Sequence, residues 1–99
     1  MSERAATAEV MVDNDQVVVT EWSFAPGAAT GWHRHGYDYV ITPISGGDFE
    51  IVGPDGTRTP FKMEPGRSYF RKFGVEHDVI NVGSVPASFV EVELKSNPG

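Results

Sequence analysis

Gly27–Tyr39, GAATGWHRHGYDY, places two histidines two residues apart in a β-like run entered through the Pro26-Gly27 turn. Successive strand side chains alternate faces, so His33 and His35 are expected to point the same way, roughly 6.5 to 7 Å apart along the strand. Neutral imidazole is the commonest protein metal ligand, and such a pair can chelate one ion from a single strand. Two ligands seldom complete a site. The chain has one further histidine, His77, and the meaning of the pair turns on whether the fold brings it to them.

The chain around this stretch reads as β throughout. Val10–Val12 and Gln16–Phe24 are rich in valine and aromatics, with Asp13-Asn14-Asp15 as the turn between them. Further strands are expected at 31–35, 39–44, 48–52, 57–63, 68–73, 77–81 and 87–94. Gly46-Gly47, Gly53-Pro54-Asp55-Gly56, Pro65-Gly66, Gly74-Val75 and Gly83-Ser84 punctuate them. Apolar residues nowhere recur at helical spacing over a helical length. An all-β sandwich or barrel follows, and jelly-roll closure is one way for so short a sheet to hide its edges. The expected organisation is an arm over 1–15 with a possible edge strand to a neighbouring subunit, a barrel over 16–94 and a polar tail over 95–99.

Ninety-nine residues support one domain with one core. No cysteine is present, which removes disulfides and thiolate chemistry. The formal charge of −6 argues against nucleic acid. No apolar run approaches bilayer length, and MSERAATAEV lacks the apolar core of a signal peptide, so a cytoplasmic protein is expected. Arg58, Lys62, Arg67, Arg71 and Lys72 fall together mid-chain and are read as a solvated face, with an anion-binding patch as the alternative.

The glycines and histidines form a pattern. Gly27 is followed after five residues by His33, after one by His35, after three by Tyr39 and after six by Gly46. Gly66 is followed after five by Lys72, after one by Gly74, after two by His77 and after three by Asn81. These intervals resemble the two motifs of the cupin superfamily, and all three histidines fall on motif positions. Tyr39 stands where the family has glutamate, and Lys72 where it has proline. The resemblance covers about Gln16 to Leu94. It implies a small jelly-roll barrel with one divalent transition metal ion per subunit inside, held by His33 and His35 from one strand and His77 from a strand across the barrel. The runs TGWHRHGYDYV and GVEHDVIN are similar to small single-domain bacterial cupins, one group of which is labelled as taking part in β-alanine degradation. Pairing into a homodimer through outer sheet faces is a further implication.

On the residues alone, Gly74 would let the backbone turn and present His77 inward, and Asn81 could satisfy backbone groups of the following loop. The plain alternative for His77 is a hydrogen-bonded core histidine. Strand parity turns Tyr39 inward with the histidines and Asp38 outward, unless a bulge intervenes and lets Asp38 replace the missing carboxylate. Tyr39 has four open roles: phenolate ligand, hydrogen-bond donor or acid toward metal-bound oxygen, space filler, or a residue facing away. A three-nitrogen site leaves positions for a chelating substrate and for O2 or water, and its positive charge suits an anionic substrate. The nitrogen donors suit Fe, Zn, Ni, Mn, Co or Cu alike.

Glu91 and Glu93 alternate with Val90, Val92 and Leu94. They are expected to face solvent if the valines fill the barrel; if the valines seal an interface, Glu91 points inward as a general base. Glu76 and Asp78 flank His77 and are expected on the solvated surface. The aromatics, Phe70 and Phe73 among them, are read as core or pocket wall. Trp32 and Arg34 project opposite the histidines, and Arg71 is an open candidate for holding a substrate carboxylate. The functional expectation is a metal-dependent, dioxygenase-like enzyme acting on a small organic acid or ketone. The alternatives are metal-assisted isomerisation or decarboxylation, and a binding or sensing module without turnover.

Overall fold

The computed structural model describes residues 4–95. They form β1 (Arg4–Ala5), β2 (Thr7–Asp13), β3 (Val17–Phe24), β4 (Ala28–Ala29), β5 (His33–Arg34), β6 (Asp38–Pro43), β7 (Gly47–Val52), β8 (Arg58–Met63), β9 (Tyr69–Arg71), β10 (Glu76–Asn81) and β11 (Ala87–Leu94), with no helix among the described residues. One sheet runs β1-β4-β10-β7-β8, with β5 also paired to β10; the other runs β2-β3-β11-β6-β9. The two sheets face each other across one interior, giving an all-β jelly roll.

Turn chemistry sets the corners. Asn14 Oδ1 accepts from the Gln16 and Val17 amides at 2.8 and 2.9 Å, closing the β2–β3 hairpin. Gly46 has φ +74°, and a Cβ there would lie 2.7 Å from the Met63 carbonyl oxygen, so the β6–β7 corner requires glycine. Asn81 is fully buried and ties three segments together. Its Nδ2 donates to the carbonyls of Phe24, Ala25 and Val85 at 3.4, 3.4 and 3.0 Å, and its Oδ1 accepts from the Gly83 amide at 2.9 Å.

The interior is divided along the strands. Phe24, Phe49 and Phe89 fill one end, with Phe24 edge-on to Phe49 at 5.2 Å between centroids and tilted against Phe89 at 5.3 Å. The other end holds His33, Tyr39 and His77, because in the paired strands Asn81 aligns with Phe49 while His77 aligns with His33.

Three expectations need correction. The segment from Arg4 to Asp13 is more than an arm: beyond the expected strand at Val10–Val12, β1 pairs in parallel with β4, and β2 pairs antiparallel with β3 from Thr7 onward. It supplies both sheets with an edge strand of their own chain; residues 1–3 and 96–99 of the expected arm and tail lie outside the described residues. His77 does not come from across the barrel but from the strand beside β5, in register with His33. Motif spacing gives the residue types, and only strand pairing gives their neighbours. Finally, Phe70 and Phe73 are exposed, at 48% and 64%, rather than core.

Candidate metal centre

The three histidines converge. The Nε2 atoms of His33 and His35 lie 3.0 Å apart, and those of His35 and His77 3.1 Å apart. The ligand atoms of all three fall within 4.8 Å of one another. His35 lies just past β5, yet alternation still turns it to the face of His33. Its amide donates to the Val75 carbonyl at 2.9 Å, and its carbonyl accepts from the Gly74 amide at 2.7 Å. Gly74, at φ +91°, makes that close return of the chain possible.

The donor set fits a metal ion. With metal–nitrogen bonds of about 2.1 Å, ligands at right angles are about 3.0 Å apart and ligands at the tetrahedral angle about 3.4 Å apart. The two separations that His35 makes, 3.0 Å to His33 and 3.1 Å to His77, are ones that two nitrogens holding the same ion can span. His33 Nδ1 donates to the Gly31 carbonyl at 2.8 Å, fixing the tautomer that frees Nε2. Burial, reinforced by His33 and His77, pushes the His35 pKa down to about 3, and burial with the neighbouring His33 pushes that of His77 down to about 4. Both rings are therefore neutral, and able to ligate, at neutral pH.

Tyr39 is buried, and its ring stacks on His35 with centroids 3.7 Å apart and planes 14° apart. The Nε2 lone pair of His35 lies in the imidazole plane. The Tyr39 ring occupies the parallel layer, so its hydroxyl would have to leave the stack to ligate. Burial pushes its pKa up to about 12, which keeps the phenol protonated. The hydroxyl is sealed from solvent and has no hydrogen-bond partner among the described residues. Asp38 points outward and accepts from the Phe73 amide at 2.9 Å, so no carboxylate takes the glutamate's place from this strand.

Other expected roles change. Glu91 does not face solvent: it is 8% exposed, with Oε1 3.4 Å from Trp22 Nε1 and Oε2 3.6 Å from His35 Nδ1. Burial pushes its pKa up to about 7. Glu93 also lines the cavity, half-buried, with its pKa raised by burial. Alternation divided β11 correctly into two faces but could not say which faces inward; Val90 and Val92 lie on the outside. Asp78 is not simply solvated surface, since its Oδ1 accepts from the Gly31 amide at 3.1 Å and anchors the loop carrying His33. Arg71 aligns with Tyr39 across β6 and β9 and so faces the cavity, its guanidinium 4.6 Å from the Tyr69 ring centroid. Trp32 and Arg34 are exposed as expected.

The histidines open onto a cavity of about 560 Å³. Its walls are mainly apolar, with Ile41, Ile51, Met63 and Val79 prominent among them. A space of this size suits a small organic ligand.

Jelly-roll architecture with three convergent imidazoles at one end defines a small cupin. The Cupin domain family matches residues 20–93, and the chain belongs to that family. It is 51% identical over 90 residues to the beta-alanine degradation protein BauB of Pseudomonas aeruginosa, covering 91% of this chain and 94% of that protein. A cupin domain protein of Bordetella pertussis superposes with a TM-score of 0.92 at 44% identity, covering 97% of this chain and 99% of that one. A double-stranded beta-helix domain protein of Klebsiella pneumoniae superposes at 0.78 with 29% identity, covering 100% and 84% respectively.

Proposed function

We propose that this cupin is a metal-dependent enzyme, dioxygenase-like in its chemistry, acting on a small organic acid or ketone that chelates an ion held by His33, His35 and His77. The carrying observation is the set of Nε2 atoms 3.0 and 3.1 Å apart, which open onto the cavity with no carboxylate among them. A divalent transition ion there would supply Lewis acidity and, for a redox-active ion, activation of O2. The protein supplies the rest. Apolar walls exclude water, Arg71 offers guanidinium N–H groups to a carboxylate, and Tyr39 keeps a protonated hydroxyl as the candidate hydrogen-bond donor or acid. The similarity to a protein named for β-alanine degradation supports a short organic acid. Transfer of the amine of a 3-amino acid to a 2-oxo acid leaves a 3-oxo acid, whose two oxygen groups are spaced for chelation.

Glu93 on the cavity wall favours a second reading, metal-assisted isomerisation or decarboxylation with that carboxylate as base. Oxygen uptake distinguishes the two. Protein loaded with Fe(II) should consume O2 in step with a 3-oxo acid or a 1,3-dicarbonyl. Substrate loss without oxygen uptake would favour the Lewis-acid reaction, and no turnover with any of the six ions would leave the pocket as a binding module. Tyr39→Phe should lower turnover at unchanged metal content.

The same reading includes a homodimer formed through the outer face of the five-stranded sheet. Val12, Val19, Val92, Val40 and Phe70 align in one continuous row across its five strands. A second copy presenting the same row would cover it by two-fold pairing. No helix among the described residues is long and apolar enough to cross a membrane, and a cytoplasmic location belongs to the proposal.

A further inference from the structure

Glu91 is a carboxylate buried where neither family motif places one. It lies in the inward row Thr20, Glu91, Ile41 across β3, β11 and β6. Its Oε1 accepts from Trp22 Nε1 at 3.4 Å, and its Oε2 lies 3.6 Å from His35 Nδ1, just beyond hydrogen-bond reach. No lysine or arginine forms an ion pair with it among the described residues. A buried ionised carboxylate without a cation beside it is unfavourable. Such a group is relieved by taking up a proton or by a positive charge nearby, and an ion beyond the imidazole it faces would supply that charge. On that side, His35 Nε2 meets the Nε2 atoms of His33 and His77.

We infer that Glu91 is a positioning residue, which holds the Nδ1 proton of His35 and so keeps the Nε2 lone pair directed at the ion. An ion at Nε2 would favour the Nδ1 proton and draw this 3.6 Å contact toward a hydrogen bond. Carboxylate–imidazole–metal relays of this kind fix the ring's tautomer and raise its basicity. His33 is held in the same sense by an independent acceptor, the Gly31 carbonyl at 2.8 Å. His35 is further confined by the Tyr39 ring stacked on its face. Glu91 thus explains how the site does without a carboxylate at position 39: the negative charge is supplied from behind one imidazole rather than at the ion, and the open positions stay open. Trp22 holds the carboxylate in place.

This inference rests on the three histidines binding metal, and the two can fail separately. Glu91→Gln keeps the shape and removes the charge. Zinc affinity by chelator competition should fall about 10- to 100-fold. The visible spectrum of the cobalt-loaded protein should shift, while the metal-free variant melts no lower than the native chain. Nitrogen NMR of labelled zinc-loaded protein should show His35 protonated at Nδ1 in the native chain. Trp22→Phe should weaken zinc binding less but in the same direction, and serves if the glutamine variant does not fold. Native zinc binding that both variants match within twofold, with unshifted cobalt spectra, would overturn the role of Glu91. A native chain that binds no metal would overturn the site itself.

Discussion

His35 and His77 are held neutral by burial and by neighbouring imidazoles, and this has a sign that stability measurements can read. Their folded pKa values, about 3 and about 4, lie below the ordinary 6.5, so the unfolded chain takes up protons that the folded chain refuses. Their contribution is present above pH 6.5 and is lost as pH falls through that value toward the folded ones. Glu91, raised to about 7, opposes this, because its stabilisation is present below its ordinary 4.5 and is lost as pH rises through about 7; Glu93 acts in the same direction. Two strongly lowered imidazoles outweigh these carboxylates. Metal-free protein should therefore lose thermal stability on acidification below pH 6.5, and His77→Gln should flatten that loss. A native chain that gains stability over the same interval would contradict these assignments. The histidines were legible from spacing because motif intervals carry residue type. Glu91 was not, because alternation separates two faces without naming the inner one.

At the scale of the element, β10 carries most of the organisation. It pairs with β4, β5 and β7, presents His77 at one end and buries Asn81 at the other. Its position beside β5 brings His77 to His33, and Asp78 ties it to the loop before β5. Asn81→Ala would leave the carbonyls of Phe24, Ala25 and Val85 and the Gly83 amide without their side-chain partner. A loss of about 2–3 kcal/mol in unfolding free energy by urea titration is expected. A loss below about 0.5 kcal/mol would mean that these bonds are replaced easily. The strands were readable from valine-rich runs between glycine and proline turns, and their ends fell close to the observed ones. Their pairing was not readable, since short β segments state no partner; the pairing of the residues before Val10 and the place of His77 beside β5 come from the fold alone.

For the whole molecule, the jelly roll closes its interior around an apolar cavity and leaves a row of valines outside. Val92 sits in the middle of that row, between Val19 and Val40. Val92→Glu should convert a dimer to a monomer in light scattering while leaving strand content by circular dichroism unchanged; a native chain that is already monomeric would remove the proposed interface. The outward turn of Trp32, Phe70 and Phe73 belongs to this scale as well, because apolar character alone cannot distinguish a core from a surface awaiting a partner. The claim on which the rest depends is that His33, His35 and His77 hold one ion, and elemental analysis of the purified chain and of His77→Ala tests it most directly. About one transition metal ion per native chain and a near-complete loss in the variant are expected. Equal metal content in the two proteins, or none in the native chain, would contradict it.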